Sequence, residues 1–568
     1  MSYHTSHYFI FRNVQVLLTS ITVDGRKVKL AESYNSSGSN VVTVLMGSNG
    51  CGKSRLFQAV CSSFIKSFEP NGFLYNFREI DNLLNEFDDV SYIVDDHSYF
   101  ISKEKRILNG RYDLNNNGYV EFISHPPYDP SKTIIKTNLD RNELPDWISE
   151  DFQRKVDERS NFLYLFEDGQ HVPHISMPAT ILAVTGSPYD KFPFSNSYSR
   201  SEIRAPYVYL GSRPKRQAGA RLNRSYLSFK FDQLGASFIK LLLKPKQEYV
   251  DFSVIFDVLG LSSKFDLKLT LNERVREEQL TEDKVLEMVR GVRFFKDKEH
   301  NYDFTEEEKK FFPQRILKAI DYVFSNRLAE HEHHFNPVEV SCSVDLNGKH
   351  DDIELFNDLA LLSEFDLIDL EDVKFKKRNT GKYFLLSQAS SGELSLLFTM
   401  SSIAGEIKDN SLILLDEPEL SLNPEWQLKF LPLLLNVFSK YKNCHFIVAT
   451  HSPNIVSTIP EGNAYIVDLS NDSYKLYPSS KYHNRSADYQ LAMLFKSPGF
   501  KNEFLISESI DILNKLSQPF SESYEKIQEL KERAAFMFDI RMYLSEDDPV
   551  KRLIDMIERA LEVIQRDY

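Results

Sequence analysis

A chain of 568 residues holds material for about three to four domains, enough to bury large cores, and its 42% hydrophobic, 26% charged and 13% aromatic composition excludes a disordered chain. A net charge of -14 excludes a molecule that coats nucleic acid or an anionic membrane, so contact with either requires a local patch. Four cysteines (Cys51, Cys61, Cys342, Cys444) without a C-x-x-C pair argue against a disulfide framework or zinc ribbon; Met1 to Arg12 shows no export signal and no window approaches the ~20 apolar residues that span a bilayer, so a soluble, cytoplasmic protein without a membrane partner is expected.

In chain order, the first strong signal is Val41-Val42-Thr43-Val44-Leu45-Met46, an apolar and β-branched run expected to form a buried parallel strand. It leads into Gly47-Ser48-Asn49-Gly50-Cys51-Gly52-Lys53-Ser54, which matches the phosphate-loop pattern G-x-x-x-x-G-K-[ST] at every fixed position. Leu56, Phe57, Val60, Phe64 and Phe68 then recur at helical spacing, so the loop opens a helix whose N-terminal dipole favours phosphate. Lys53 is placed to reach the β- and γ-phosphates of ATP and Ser54 to ligand Mg²⁺.

Arg200 to Lys230 carries eight basic residues against Glu202, with Tyr207, Tyr209 and Tyr226 among them. A nucleic-acid patch and a solvated or ATP-side basic face are the two readings. Ile316, Leu317, Ile320, Val323, Phe324 and Leu328 mark an amphipathic helix, and His331-Glu332-His333-His334 reads as a solvated helix end rather than a metal site. Val338 to Leu346 alternates strictly and ends at Asn347-Gly348, predicting a strand that enters a hairpin; Val373 and Phe375 before Asn379-Thr380-Gly381, with Phe384 and Leu386 after it, predict a second hairpin. No sustained heptads occur, so a coiled coil is not expected.

Ser390-Ser391-Gly392-Glu393 then opens a helix marked by Leu394, Leu397 and Phe398, with Ser390 to Gly392 as its cap. Ser411 to Leu415 is a second buried strand, and it delivers Asp416 and Glu417 where ligands bind in open α/β sheets. Asp416 is placed to hold Mg²⁺, and Glu417 to accept a proton from attacking water. Phe446 to Thr450 is a third buried strand, ending at His451 and a Ser452-Pro453 break. From about residue 485 the chain reads as mostly helical, with Ser545 to Pro549 a helix entry and no Asp-x-Asp after an apolar strand, so an intrinsic nuclease is not expected.

These ordered motifs resemble the ABC-type ATPase heads of the RecF, RecN and SMC class. Gly392 lies 24 residues before Asp416, and His451 lies 34 after Glu417. Ser391 stands where the family commonly has a first signature Gly. The resemblance implies that Ser390, Ser391, Gly392 and Glu393 act in trans on ATP held by a second protomer, in a homodimer or higher homo-oligomer, and that His451 senses the γ-phosphate. Leu420-Ser421-Leu422-Asn423-Pro424-Glu425-Trp426-Gln427 looks like the D-loop, with Asn423 or Ser421 as interface residues. Gln217 is the better Q-loop candidate, and Tyr8, Phe9 or Phe11 are open as adenine-stacking residues. Within the class, the L-D-E-P-E-L-S-L-N-P-E-W-Q segment, the insert without a coiled coil and the helical tail most resemble the ATPase subunit of Septu-type antiphage defence systems, including the retron-associated version. That implies a separately encoded HNH-type nuclease as partner; a RecF- or SMC-like role in DNA maintenance is the alternative.

The expected architecture is therefore α/β: an ABC-type P-loop head split by a large α+β insert, with a helical C-terminal region. Its parts are an N-terminal ATPase lobe over 1–70, the insert and remainder of that lobe over 71–380, the lobe with signature, acidic pair, D-loop and switch histidine over 381–480, and the helical region over 481–568.

Overall fold

The computed structural model describes residues 16–32, 39–47, 50–68, 88–94, 97–102, 110–114, 118–123, 134–137, 164–172, 175–187, 189–193, 206–211, 213, 252–271, 281–285, 313–321, 339–345, 359, 362–363, 367–470, 474–517 and 524–567, with single residues between 234 and 241.

A seven-stranded sheet organises the chain. Its spatial order is Tyr207–Leu210, Thr180–Thr185, Ser411–Asp416, His445–Thr450, Val41–Met46, Ala464–Asp468 and Lys475–Pro478; all neighbours are parallel except the last pair. The five inner strands read as largely apolar runs because both faces are covered, whereas the edge strand Lys475–Pro478 is partly exposed. Val42, Val44, Ile413, Leu415, Phe446 and Val448 point into a core shared with the helix Ser391–Glu406. Their neighbours Leu45, Leu412, Leu414, Ile447 and Ala449 point the other way, against Phe57, Val60 and Phe64 of the helix Lys53–Phe68. Two strands of this sheet, Thr180–Thr185 and Tyr207–Leu210, come from the region between the phosphate loop and Ser390, so that region contributes to the same sheet as Val41–Met46.

A second, antiparallel six-stranded sheet runs Gln170–His171, Tyr164–Glu167, His97–Ser102, Asp89–Val94, Val16–Val23, Arg26–Lys29. His445 fastens the two sheets together. The Leu18 N–H donates to its Nδ1 at 3.2 Å, so the ring proton lies on Nε2, which faces the Thr43 hydroxyl at 2.9 Å; that hydroxyl in turn donates to the Leu30 carbonyl at 2.8 Å. The ring is wholly buried, and burial pushes its pKa down to about 3 from 6.5. Because the unfolded chain takes up this proton and the folded one resists it, the contribution to stability is full above pH 6.5 and is lost as pH falls toward 3. Between pH 7 and 5 the loss is about 2 kcal/mol. His445→Gln is expected to flatten the dependence of the urea midpoint on pH over that interval; parallel curves for variant and parent would refute the assignment.

A four-stranded antiparallel sheet, ordered Glu339–Asp345, Leu261–Leu271, Ile368–Lys377, Tyr383–Leu385, stands beside the first core, with Phe256, Phe265 and Phe375 packed ring on ring. The second predicted hairpin forms here, with Phe375 opposite Phe384. The first differs: Glu339–Asp345 pairs with Leu261–Leu271, far upstream, and residues 346–358 lie outside the described set. A three-stranded antiparallel sheet joins Gly110–Leu114, Gly118–Ile123 and Ile134–Thr137. The described part of the predicted 316–328 helix is helical over 313–321.

The tail is helical at Ala487–Met493, Glu503–Leu516, Tyr524–Ile540 and Pro549–Asp567, and its last three helices share a separate core around Leu505, Ile512, Met537, Ile540 and Ile554. The last helix starts as the sequence predicts, with Pro549 in its first position and the Asp548 carboxylate accepting from Val550 N–H at 2.9 Å. Among the described residues no helix is long and apolar enough to cross a membrane.

Candidate functional site

Parallel register brings the carboxyl ends of four strands to one edge. Thr185 lies opposite Asp416, Asp416 opposite Ala449, and Thr450 opposite Met46. The phosphate loop, the acidic pair and His451 therefore meet although nearly 400 residues separate Lys53 from His451.

Gly47 has φ +154°, and a Cβ there would stand 2.6 Å from Cys51 Sγ, so the loop closes only over a glycine. Gly50 and Gly52 also take positive φ and lead into the helix that starts at Lys53. Ser48 and Asn49 lie outside the described residues. Lys53 is buried, and its Nζ donates to the Gly47 carbonyl at 3.2 Å, meets His451 Nε2 at 2.5 Å and lies 3.6 Å from Glu417 Oε1. His451 Nε2 is 3.1 Å from the same Glu417 oxygen. Burial, and then the Lys53 ammonium, hold the His451 pKa below its ordinary value.

Glu417 adopts φ +51°, a left-handed conformation that costs a non-glycine residue on the order of 1–2 kcal/mol. The turn it makes aims its carboxyl back at Lys53. Burial, and the neighbouring Glu419 and Asp416 carboxyls, push its pKa up to about 8 against the pull of Lys53. Asp416 is likewise pushed up to about 6, chiefly by burial, while a hydrogen bond with Ser54 acts the other way. Its Oδ1 is buried with no hydrogen-bond partner among the described residues. A serine hydroxyl beside a carboxylate with an unpaired buried oxygen fits a hard divalent cation such as Mg²⁺, which is commonly held by one or two carboxylates plus phosphate and water.

The signature residues form a helix cap. Ser390 Oγ accepts from Glu393 N–H at 3.3 Å while Ser390 N–H donates to Glu393 Oε2 at 2.9 Å, and Lys377 pairs with Glu393 at 3.1 Å. Ser391 and Gly392 begin the helix, and a Cβ on Gly392 would approach the Ser421 carbonyl to 3.1 Å, so the signature turn lies directly on the D-loop backbone. Asn423 caps the following helix through Trp426 N–H at 2.9 Å. Gln427 donates to the Leu422 carbonyl and accepts from Ser452 Oγ at 2.8 Å and Asn454 Nδ2 at 3.1 Å, bracing the D-loop against the segment after His451.

Glu419 is the site residue that the sequence reading missed. Its carboxylate accepts from the Thr450 hydroxyl at 2.7 Å and the His451 N–H at 2.6 Å. The available signal was a second acid after the strand, separated from Glu417 only by Pro418. Gln217, Tyr8, Phe9, Phe11, His331 to His334 and most of the Arg200 to Lys230 stretch lie outside the described residues. Within that stretch, Arg213 does not behave as an exposed charge. It pairs with the buried Asp190 at 2.7 Å and lies over the Tyr209 ring at 5.0 Å, with the Tyr209 hydroxyl donating to Asp190 at 2.8 Å.

Sheet order, phosphate loop and acidic strand define a mixed α/β fold of the P-loop type. A family model described as "AAA domain, putative AbiEii toxin, Type IV TA system" matches residues 244–457. Protein ea59 of Escherichia phage lambda is 33% identical over 112 residues, covering 19% of this chain and 21% of that protein. The Retron Ec83 probable ATPase of Escherichia coli is 33% identical over 91 residues (14% and 16%), and the Retron Vc95 probable ATPase of Vibrio cholerae serotype O1 biovar El Tor is 26% identical over 146 residues (22% and 28%). The chain thus spans under a third of the length of each of these curated relatives. Among solved structures, the SMC head domain from Thermotoga maritima aligns over 82% of this chain and 97% of its own length at 12% identity, with a TM-score of 0.24.

Proposed function

We propose that this chain binds Mg²⁺ and ATP in the loop Gly47 to Ser54, hydrolyses the ATP slowly, and couples nucleotide state to a separate nuclease in antiphage defence. The observation that carries the reading is the convergence of Lys53, Glu417 and His451 beside the Ser54–Asp416 pair. Lys53 binds the β- and γ-phosphates, Ser54 and Asp416 hold the cation, and Glu417 takes the proton of the attacking water while His451 contacts the γ-phosphate. When bound, the cation neutralises charge on the phosphates and stabilises the Asp416 carboxylate against its burial. The likeness to two retron probable ATPases supports the defence setting, in which an HNH-type nuclease gene beside this one is expected.

Dimerisation through the signature belongs to the same proposal. A helix N-terminus capped by Ser390 offers backbone N–H groups to the terminal phosphate of ATP held by a second copy. The test measures phosphate release and particle size of the chain with Mg²⁺ and ATP. The parent is expected to hydrolyse ATP and populate dimers, whereas Ser390→Arg, by bulk and charge, loses the dimer; the lost cap costs only about 1 kcal/mol and leaves the fold intact. No phosphate release by the parent would refute the enzyme, and equal dimer populations would refute the trans contact.

A further inference from the structure

Glu419 lies two residues beyond the proposed base and turns its carboxylate inward. One oxygen, Oε1, receives both the Thr450 hydroxyl and the His451 N–H; the other, Oε2, is buried and receives no N–H or O–H donor among the described residues. Two donors converging on a single oxygen, one from the Thr450 side chain and one from the following peptide, fix the Thr450–His451 peptide in place. The next two residues touch the signature helix: the Leu420 carbonyl accepts from Ser395 Oγ at 3.3 Å, and the Ser421 carbonyl lies against Gly392. Three consecutive residues thus connect the helix that would meet ATP in trans with the histidine that would meet it in cis.

We propose that Glu419 is a positioning residue for ATP hydrolysis, holding His451 against Glu417 and Lys53 and tying that placement to the signature helix. The inference rests on the ATPase reading above. It requires no contact between Glu419 and the nucleotide: Glu419 acts through His451, beside the direct effect of its carboxyl on Glu417, and its loss falls on turnover rather than binding.

The test uses the full chain with Mg²⁺ and ATP and four variants: Glu419→Ala, Glu419→Gln, His451→Ala, and Glu419→Ala combined with His451→Ala. Misplacing a reacting-site group by about 1 Å costs roughly 10²-fold, so Glu419→Ala is expected to lower kcat by about that factor. KM should stay within about threefold, since ground-state binding is untouched. Glu419→Gln should recover most of the rate because its amide oxygen still accepts both bonds. The combined variant should be slower than His451→Ala by no more than Glu419→Gln is slower than the parent, since both changes remove the same carboxyl beside Glu417 and the positioning effect is already lost with His451. Parental kcat in Glu419→Ala, or losses that multiply in the combined variant, would overturn the proposal. Amide hydrogen exchange of residues 446–456 adds a readout independent of turnover. Exchange should quicken in Glu419→Ala and stay parental in Glu419→Gln; unchanged exchange in Glu419→Ala overturns the positioning role. A parent that binds ATP yet releases no phosphate overturns the ATPase reading, whatever the exchange shows.

Discussion

Glu417→Gln is expected to keep Mg²⁺ and ATP bound within a few-fold of the parent while slowing phosphate release by roughly 10²–10⁴-fold, the usual contribution of a positioned general base. The amide preserves the shape beside Lys53 and His451 but cannot take the proton of the attacking water. The same variant should melt higher than the parent when nucleotide is absent. In the folded chain burial, and the neighbouring Glu419 and Asp416 carboxyls, push the Glu417 carboxyl up to about 8 from the ordinary 4.5. A raised folded-state value means that the carboxyl favours folding at low pH, and that this contribution disappears as pH rises through 8. At pH 8.5 the parent therefore carries an unfavourable buried charge that the glutamine lacks, and a gain of about 2–4 °C in Tm corresponds to each kcal/mol relieved in a domain of this size. Labelled-ATP binding, phosphate release and a pair of melting curves at pH 5 and 8.5 check both halves. An unchanged hydrolysis rate would remove Glu417 from the role of base, and equal melting shifts at the two pH values would contradict the source of the strain.

Lys53→Ala should fail earlier, at binding. The ammonium is buried among the Gly47 carbonyl, His451 and Glu417, the place where the phosphates would arrive. Truncating one partner of a buried, hydrogen-bonded charge pair costs about 2–5 kcal/mol, so ATP affinity should fall by about 10²-fold or more. Removing the cation also takes away the interaction that lowers the carboxyls of Asp416 and Glu417, so both should titrate still higher. Equilibrium binding of labelled ATP provides the check: parental affinity in Lys53→Ala would mean that the loop does not receive the phosphates through this residue. Lys53 and Glu417 together separate binding from chemistry, which a single inactive variant could not do.

The elements legible in the sequence were those whose signal is local. Val41–Met46, Ser411–Asp416 and His445–Thr450 are covered on both faces, so burial imposes an apolar run through the middle of each strand, which therefore advertises itself. The capping of the signature helix was legible for the same reason, because Ser390 and Glu393 satisfy one another within a single turn. Long-range pairing was not. The partner of Glu339–Asp345 is a strand some 70 residues upstream, and no feature of the alternating run at 338–346 distinguishes that neighbour from a nearer one. Arg213 looked like part of a basic surface because its counter-charge, Asp190, lies 23 residues away in sequence. Glu419 was passed over because an acid just after a strand and a proline is usually solvated; only the parallel register of the acidic and switch strands brings it under His451.

The helix Ser391–Glu406 is buried at every position from Ser395 to Gly405, so it lacks the solvent-facing stripe of an ordinary surface helix. Gly405 packs against the Ser237 backbone, where a Cβ would come within 3.1 Å of the carbonyl, and Lys377 grips the opposite end through Glu393. A rod wedged from Ser395 to Gly405 bends little under a displacement at its tip. A displacement at Ser390 would pass along this helix with little loss, and Gly405 would carry it to the backbone at Ser237.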